Sequence, residues 1–247
     1  MNRSHQTRIG LLLCDDVDRD SQDLYGTYSN MYQHGLDSER TSIDLVPIRC
    51  FEGESPPDSP GDYAGYIVTG SRYGVYEDRP WIGDLLQFIR DCRDSRSRVV
   101  GVCFGHQAIA HALGGRTEKS PAGWGFGIHA STITRRQPWM TDYEMLDGDV
   151  YNLVVIHQDQ VVEVPPMFET IASNRFCPHS MIVSGTTMLG IQGHPEFSRE
   201  FCRFRADFRK DLIGPEIYAS TIRSLKEKSL HSQTVLKWIC RFLLMPR

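Results

Sequence analysis

One cysteine of this 247-residue chain lies where a catalytic nucleophile would be expected. Cys103 stands between Gly101 and Gly105, after the apolar run Val99–Val102 and before a stretch with helical spacing. A nucleophile on such a strand-to-helix turn projects out of the backbone, and the strained turn requires neighbours without a Cβ atom. The amino end of the following helix stabilises a thiolate and an oxyanion. The pattern predicts a nucleophilic thiol at Cys103, with the backbone N–H of Phe104 as one oxyanion donor.

Two of the nine histidines follow buried strands and are the candidates to accept the proton of this thiol. His157 ends the run Leu-Val-Val-Ile-His, and His194 stands in Gly-Ile-Gln-Gly-His-Pro-Glu-Phe. A catalytic base needs a group that fixes its tautomer. Glu196 lies two residues after His194, and in an extended turn the side chains at i and i+2 point the same way. We therefore predict His194 as the base and Glu196 as its orienting group, with His157 as the competing base.

Two other interpretations of the Gly-x-Cys-x-Gly turn remain open at this point. Cys103 would be a small buried apolar residue if it behaved as most free cysteines do. A dienelactone-hydrolase-like esterase shares the same turn, but its acidic residue precedes its histidine in the chain. Here the best acid, Glu196, follows His194. This order disfavours the esterase.

The segments GVCFGHQAIAHALGG and GIQGHPEFS together resemble the class I (triad) glutamine amidotransferase family. The resemblance extends from the first strand to about Ser198. It implies attack of Cys103 on the side-chain carboxamide of glutamine, release of ammonia, and hydrolysis of a γ-glutamyl thioester by water. It also implies that the N–H of Gly70 is the second oxyanion donor and that Gln107 lines the substrate pocket.

The chain departs from many biosynthetic members of that family where they bind the amino-acid end of glutamine. Their Ser-His-Gly-Asp segment reads Ile-His157-Gln158-Asp159 here, so a glutamine side chain stands where backbone would approach the substrate. Two further segments, GSRYGVYEDRPW and GWGFG, are similar to a stand-alone GMP synthase-like subgroup that includes γ-glutamyl peptidases. The residues of these segments that we expect to contact substrate are Arg72 (on a carboxylate), Tyr73, Tyr76 and Trp124, together with His157, Gln158 and Asp159.

These patterns favour an enzyme that hydrolyses a γ-glutamyl amide, either glutamine or a γ-glutamyl peptide, as its small-molecule substrate. The second hypothesis is a glutaminase subunit that delivers ammonia to a separate synthase, because no synthase sequence accompanies the motifs. The third hypothesis is a non-catalytic binding module on the same fold. A complete set of Cys103, His194 and Glu196 disfavours the third hypothesis.

The order of apolar segments predicts the fold that must position these residues. Short apolar runs alternate with longer amphipathic ones, which is the pattern of βαβ units. We expect one α/β domain with an open, mainly parallel sheet flanked by helices, flavodoxin-like as the family resemblance implies. The motifs would occupy a core at about 8–198, followed by C-terminal helices at about 199–247. Strands are expected at 9–14, 43–47, 66–69, 99–102, 128–133, 153–156, 170–172, 181–183 and 188–191, and helices at 15–35, from 80, after 103, at 201–212 and at 234–244.

Composition excludes several other classes of protein. The net charge is −4 and the charges form no basic stripe, so we expect no nucleic-acid partner. The apolar run at 9–14 is too short for a secretion signal or a membrane span, so we expect a cytoplasmic protein. Seven cysteines without a C-x-x-C pair predict reduced thiols and no metal site. We find no nucleotide-binding motif and expect no cofactor.

Overall fold

A computed structural model describes residues 6–37 and 43–246. The strands are β1 Thr7–Leu12, β2 Ile43–Ile48, β3 Tyr66–Val68, β4 Val99–Val102, β5 Arg116–Lys119, β6 Gly125–Ile133, β7 Val150–His157, β8 Asp159–Glu163, β9 Glu169–Ser173, β10 Met181–Ser184 and β11 Met188–Ile191. The α-helices are α1 Arg19–Tyr25, α2 Tyr28–Asp37, α3 Pro80–Asp94, α4 Phe104–Ala112, α5 Arg199–Phe208, α6 Lys210–Glu227 and α7 Ser232–Leu244. None of the helices in these two ranges combines the length and the apolar character that a membrane span requires.

Nine strands form one open sheet in the order β2-β1-β3-β4-β11-β10-β9-β6-β7. The first five are parallel neighbours, and antiparallel pairs join the others. Only β10 and β6 run against the remaining seven strands of this sheet. Strands β5 and β8 pair separately. The single-domain α/β fold with an open, mainly parallel sheet flanked by helices, which the sequence predicts, is confirmed.

Helices bury both faces of the parallel strands, which explains why these strands are apolar without alternation. Successive residues of β3 show the two faces. Ile67 belongs to the core that includes Trp238 of α7, whereas Val68 belongs to the core that includes Leu85 of α3. Each of these four side chains is at most 1% exposed. The loops at the strand ends are therefore attached to a sheet that is packed on both faces.

The structure corrects three of the sequence expectations. The single helix expected at 15–35 is two helices, α1 and α2, because Gly26 has a φ of 74° between them. The polar strands β5 and β8 are not among the expected strands. The helix expected at 201–212 ends at Phe208, and α6 follows, with a kink at Gly214 where φ is 79°.

The carboxyl ends of β1, β3, β4 and β11 lie along the same edge of the sheet, since these strands are parallel. In open α/β sheets this edge is where ligands bind. The segments that follow these strands carry Asp15, Gly70, Cys103 and His194. The fold thus gathers residues that are up to 180 positions apart into one place.

Candidate active site

Cys103 occupies a strained turn between β4 and α4. Its backbone has φ 53° and ψ −103°, a left-handed conformation that is uncommon for a residue with a side chain. A Cβ atom added to Gly101 would lie 2.2 Å from the carbonyl oxygen of Gly105, and one added to Gly105 would lie 2.2 Å from that of Val68. Neither glycine has a positive φ. The two glycines are needed for close backbone packing, while the strain resides in Cys103 itself.

His194 and Glu196 are held together beside this cysteine. The Nδ1 atom of His194 lies 2.7 Å from Oε1 of Glu196, and the imidazole stacks on Phe197 with ring centroids 4.1 Å apart. The backbone N–H of His194 donates to the carbonyl of Val154 at 2.8 Å, which fixes the turn against β7. A Cβ atom on Gly70 would lie 2.9 Å from Cε1 of His194 and 3.7 Å from Cβ of Cys103. The structure therefore brings the three residues predicted to react into one group.

The charges of this group favour a protonated His194. Burial alone disfavours the imidazolium, but attraction to Glu196 and then to Cys103 outweighs it and raises the pKa of His194 above its ordinary value. The side chains of His194 and Glu196 are 5% and 1% exposed, so water screens this attraction little. A protonated imidazole beside the thiol is the state in which a thiolate attacks and the imidazolium supplies a proton.

The two residues predicted as oxyanion donors lie on either side of Cys103. Phe104 is the first residue of α4, and Gly70 follows β3 in contact distance of Cys103. Within residues 6–37 and 43–246, neither backbone N–H donates a hydrogen bond to a protein acceptor. Both donors are thus available to an oxygen atom of a bound ligand.

His157 is held in a different arrangement from His194. Its Nδ1 atom is 3.0 Å from the carbonyl oxygen of Asp159, and since a carbonyl only accepts, Nδ1 carries the proton. Burial lowers the pKa of His157 to about 3, so this imidazole is neutral at ordinary pH. In the part of the chain that the structure describes, no carboxylate side chain contacts it. The competing base therefore has a structural hydrogen bond where His194 has Glu196.

Gln107 and a glutamine that the sequence reasoning did not single out connect these groups. The side-chain amide of Gln107 donates to the carbonyl of Asp159 at 2.7 Å and to Oε1 of Gln192 at 3.3 Å. Gln192 in turn donates to Sγ of Cys103 at 3.6 Å. Gln192 is 1% exposed and lies between β11 and His194. The feature of the sequence that could have indicated Gln192 is its position inside the Gly-Ile-Gln-Gly-His-Pro-Glu motif.

A cleft of about 630 Å³ opens above Cys103 and His194. The residues predicted to bind substrate all lie on its wall: Arg72, Tyr73, Gln107, Trp124, His157, Gln158 and Asp159. Tyr73 packs edge-on against Trp81, with ring centroids 6.0 Å apart. Arg72 is already engaged, because its backbone N–H and its Nε donate to Asp15 at 3.0 and 2.9 Å. Arg72, which the sequence predicts to contact a substrate carboxylate, is thus paired with a carboxylate of the chain itself.

One wall of the cleft comes from the junction of α5 and α6, which the sequence reasoning did not assign to the site. It carries Arg205, Phe208, Arg209, Asp211 and Leu212. Arg205 is paired with Asp18 at 3.2 Å. The guanidinium of Arg209 has neither a hydrogen bond nor an ion pair among the residues described, and it lies 5.7 Å from the centroid of Trp124. Burial, followed by repulsion from Arg205, lowers the pKa of Arg209.

The part of the chain that the structure describes contains no cluster of metal-binding side chains. Over residues 6–37 and 43–246, no group of three or more His, Cys, Asp or Glu side chains is placed to hold a metal ion. All seven cysteines are buried free thiols.

The fold and this site define an α/β protein with a Cys-His-Glu group at the carboxyl edge of a mainly parallel sheet. Residues 21–201 match the family description "Glutamine amidotransferase class-I", which is most of the chain. The chain belongs to the class I glutamine amidotransferase family.

Individual relatives agree with this assignment. γ-Glutamyl peptidase 3 of Arabidopsis thaliana is 31% identical over 182 residues, which cover 71% of each chain. γ-Glutamyl peptidase 4 of the same plant is 28% identical over 244 residues, covering 96% of this chain and 95% of that one. The crystal structure of a glutamine amidotransferase from Thermotoga maritima has a TM-score of 0.72 at 19% identity, covering 98% of this chain and 97% of that one. That likeness extends over the whole sheet and its helices.

Proposed function

We propose that this chain, a glutamine amidotransferase-like hydrolase of amide bonds, cleaves γ-glutamyl peptides through a γ-glutamyl thioester on Cys103. The observation that carries the substrate class is the unpaired guanidinium of Arg209 on the wall of a cleft that also contains Cys103. A partly buried arginine without an anion is suited to a carboxylate that the ligand supplies. Peptides joined to a γ-glutamyl group end in such a carboxylate, whereas the leaving group of glutamine is ammonia alone.

The first half of the reaction uses the buried group at the floor of the cleft. The thiolate of Cys103 attacks the carbonyl carbon of the γ-glutamyl amide, and the oxygen becomes an oxyanion. The free N–H groups of Gly70 and Phe104 donate to this oxyanion. His194, protonated because Glu196 and Cys103 raise its pKa, gives its proton to the departing nitrogen. The C–N bond then breaks, and a thioester and a free amine result.

The second half regenerates the enzyme. A water molecule enters where the amine has left, and neutral His194 takes one of its protons while the hydroxide attacks the thioester carbonyl. The C–S bond breaks, glutamate leaves, and the thiolate of Cys103 is again paired with the imidazolium of His194. Glu196 keeps Nδ1 of His194 occupied through both halves, so that Nε2 faces the reacting atoms.

The size of the cleft supports a substrate larger than glutamine. Its volume of about 630 Å³ falls in the range of about 300–1,000 Å³ that is usual for sites that bind drug-sized ligands. Phe208 and Leu212 line its outer part and are 72% and 64% exposed. Such exposed apolar side chains beside Arg209 offer contact to the side chains of a peptide leaving group.

The purified chain tests the proposal directly. Glutamate release is measured with a γ-glutamyl dipeptide, with the same dipeptide amidated at its carboxyl end, and with glutamine, and the Cys103→Ala protein serves as the blank. We expect kcat/KM to be about tenfold higher for the free-acid dipeptide than for glutamine, a difference that needs only ~1.4 kcal/mol of transition-state binding. The amidated dipeptide should lie between the two.

Two results would replace this proposal with the hypothesis of an ammonia-delivering subunit. One is a higher kcat/KM for glutamine than for every γ-glutamyl peptide. The other is activity that begins only when a second protein is added. Binding of these ligands with no turnover by the chain in any mixture would instead support a non-catalytic module.

A further inference from the structure

A tyrosine reaches across the mouth of the cleft from the loop between β3 and α3. The hydroxyl of Tyr76 donates to Oδ2 of Asp159 at 2.9 Å. Both residues line the cleft, and Tyr76 is 48% exposed at its rim. Burial and then this hydrogen bond raise the pKa of Tyr76 to about 12, so the hydroxyl keeps its proton and acts as the donor. The loop that carries Tyr76 and the start of β8, 83 residues later in the chain, are therefore joined over the site.

The loop is built to allow this contact. A Cβ atom on Gly74 would lie 2.8 Å from Cζ of Tyr76 and 3.2 Å from Oδ2 of Asp159. Gly74 has no positive φ, so its backbone conformation does not require glycine. The absence of a side chain at 74 instead makes room for the tyrosine and the carboxylate to meet. The contact is thus supported by a second position in the sequence.

Asp159 is held from its other side as well. Its carbonyl oxygen accepts from Gln107 at 2.7 Å and from His157 at 3.0 Å. Two other carboxylates of the cleft are paired with cations, Asp15 with Arg72 and Glu77 with Arg79. Over the residues that the structure describes, the carboxylate of Asp159 has no cationic partner. Its Oδ1 is free to accept from a charged amine of a ligand.

We infer that Tyr76 is a positioning residue for Asp159. Asp159 belongs to the segment that the family resemblance assigns to the amino-acid end of the ligand, and Tyr76 holds its carboxylate ready to bind the α-ammonium group of a γ-glutamyl ligand. The identity of this ligand rests on the proposed function. The path from Asp159 through Gln107 and Gln192 to Sγ of Cys103 consists of direct hydrogen bonds. The amine site and the nucleophile are thereby set at a fixed separation. The cleft should reject ligands that lack the α-amino group.

Binding to the Cys103→Ala protein tests this inference independently of turnover. The two probes are γ-glutamyl-glycine and glutaryl-glycine, which differ only in the α-amino group, and Kd is measured by calorimetry. We expect tighter binding of γ-glutamyl-glycine. Adding Tyr76→Phe should weaken γ-glutamyl-glycine about fivefold, because one hydrogen bond to a charged group is lost at a half-exposed site. Binding of glutaryl-glycine should not change.

A matched control and a double variant separate positioning from general damage. Tyr218→Phe removes the same kind of bond, a tyrosine hydroxyl 2.6 Å from Oδ1 of Asp207, away from the cleft, and should leave both Kd values unchanged. In an Asp159→Asn background, Tyr76→Phe should add no further loss, since the two act as one unit. Gly74→Ala should reproduce the selective loss.

Three results would overturn the inference: equal binding of the two probes by the Cys103→Ala protein, equal weakening of both by Tyr76→Phe, or additive losses in the double variant. A failure of the proposed function would give a different experimental result. In that case the intact chain would bind γ-glutamyl-glycine with the selectivity described and yet release no glutamate from it.

Discussion

The floor and the outer wall of the cleft are built in different ways. The floor consists of Cys103, His194 and Glu196, which are buried and fixed by turns at the ends of two neighbouring parallel strands. The outer wall comes from the junction of α5 and α6 and includes the exposed Phe208 and the half-buried Arg209. On the proposed function, a change in the floor should affect the reaction itself, whereas a change in the wall should affect which substrates the cleft accepts. We therefore expect reaction type to depend on the floor and substrate choice to depend on the wall.

The largest effect should come from the floor. Cys103→Ala removes the nucleophile, and we expect glutamate release to fall by about 10⁴-fold or more, with circular dichroism unchanged. A glutamine-like electrophile should label Cys103 and spare the other six cysteines, because they lie in the core away from the cleft. Labelling spread evenly over several cysteines would contradict the assignment of the nucleophile.

The two buried histidines offer the next test. His194→Asn should reduce kcat nearly as much as Cys103→Ala, because members of one catalytic unit lose activity non-additively. His157→Asn should cost far less, since this neutral imidazole only supports the carbonyl of Asp159. Measuring kcat of both variants at saturating substrate distinguishes the two candidate bases. A larger loss for His157→Asn would show that the base has been misidentified.

Glu196→Gln should have a smaller effect with a distinct pH signature. We expect a loss of about 10²-fold, the scale for a group that orients a reacting residue. Above the pKa of His194 the imidazolium loses the proton needed by the leaving amine, so activity falls on the alkaline side. Glu196 raises that pKa, and its removal should move the alkaline limb of the kcat/KM profile to lower pH. An unmoved alkaline limb would be evidence against this role.

The smallest effect should come from the wall. Arg209→Gln should lower kcat/KM about tenfold for a γ-glutamyl dipeptide with a free carboxylate, because one charge-assisted contact is lost. The amidated dipeptide and glutamine should be hardly affected. Arg203→Gln is the control, since Arg203 lies on α5, which ends one residue before Arg209, but is paired with Asp207 outside the cleft. Equal losses for all three substrates would show that Arg209 does not select the leaving group.

The sequence was sufficient for the floor because its residues are set by short local patterns. The strand, the glycines and the helix around Cys103 are continuous in the chain, and His194 and Glu196 are two residues apart. These three residues could therefore be predicted from local sequence patterns alone, without knowledge of the tertiary packing. Gln192 lay in the same motif, but its contact with the thiol depends on how β11 lies beside β4.

The rest of the site depends on tertiary contacts that leave no local pattern. Arg209 reaches the cleft because α5 and α6 pack back over the carboxyl edge of the sheet, more than 100 residues after Cys103. The ion pair of Arg72 with Asp15 likewise joins residues that are 57 positions apart in the sequence. Strand β5 escaped prediction because three of its four residues are exposed and polar, which removes the apolar signal.

The backbone of Cys103 has a consequence for how this protein evolves. Its φ of 53° costs about 1–2 kcal/mol for a residue with a Cβ atom, and glycine would avoid that cost. On the proposed function, mutation from cysteine to glycine at this site would remove the reaction and relieve this backbone strain in the same step. A lineage that no longer needs the proposed activity is therefore expected to lose this cysteine readily, because its replacement by glycine relieves backbone strain. Retention of the strained cysteine then depends on selection for the reaction.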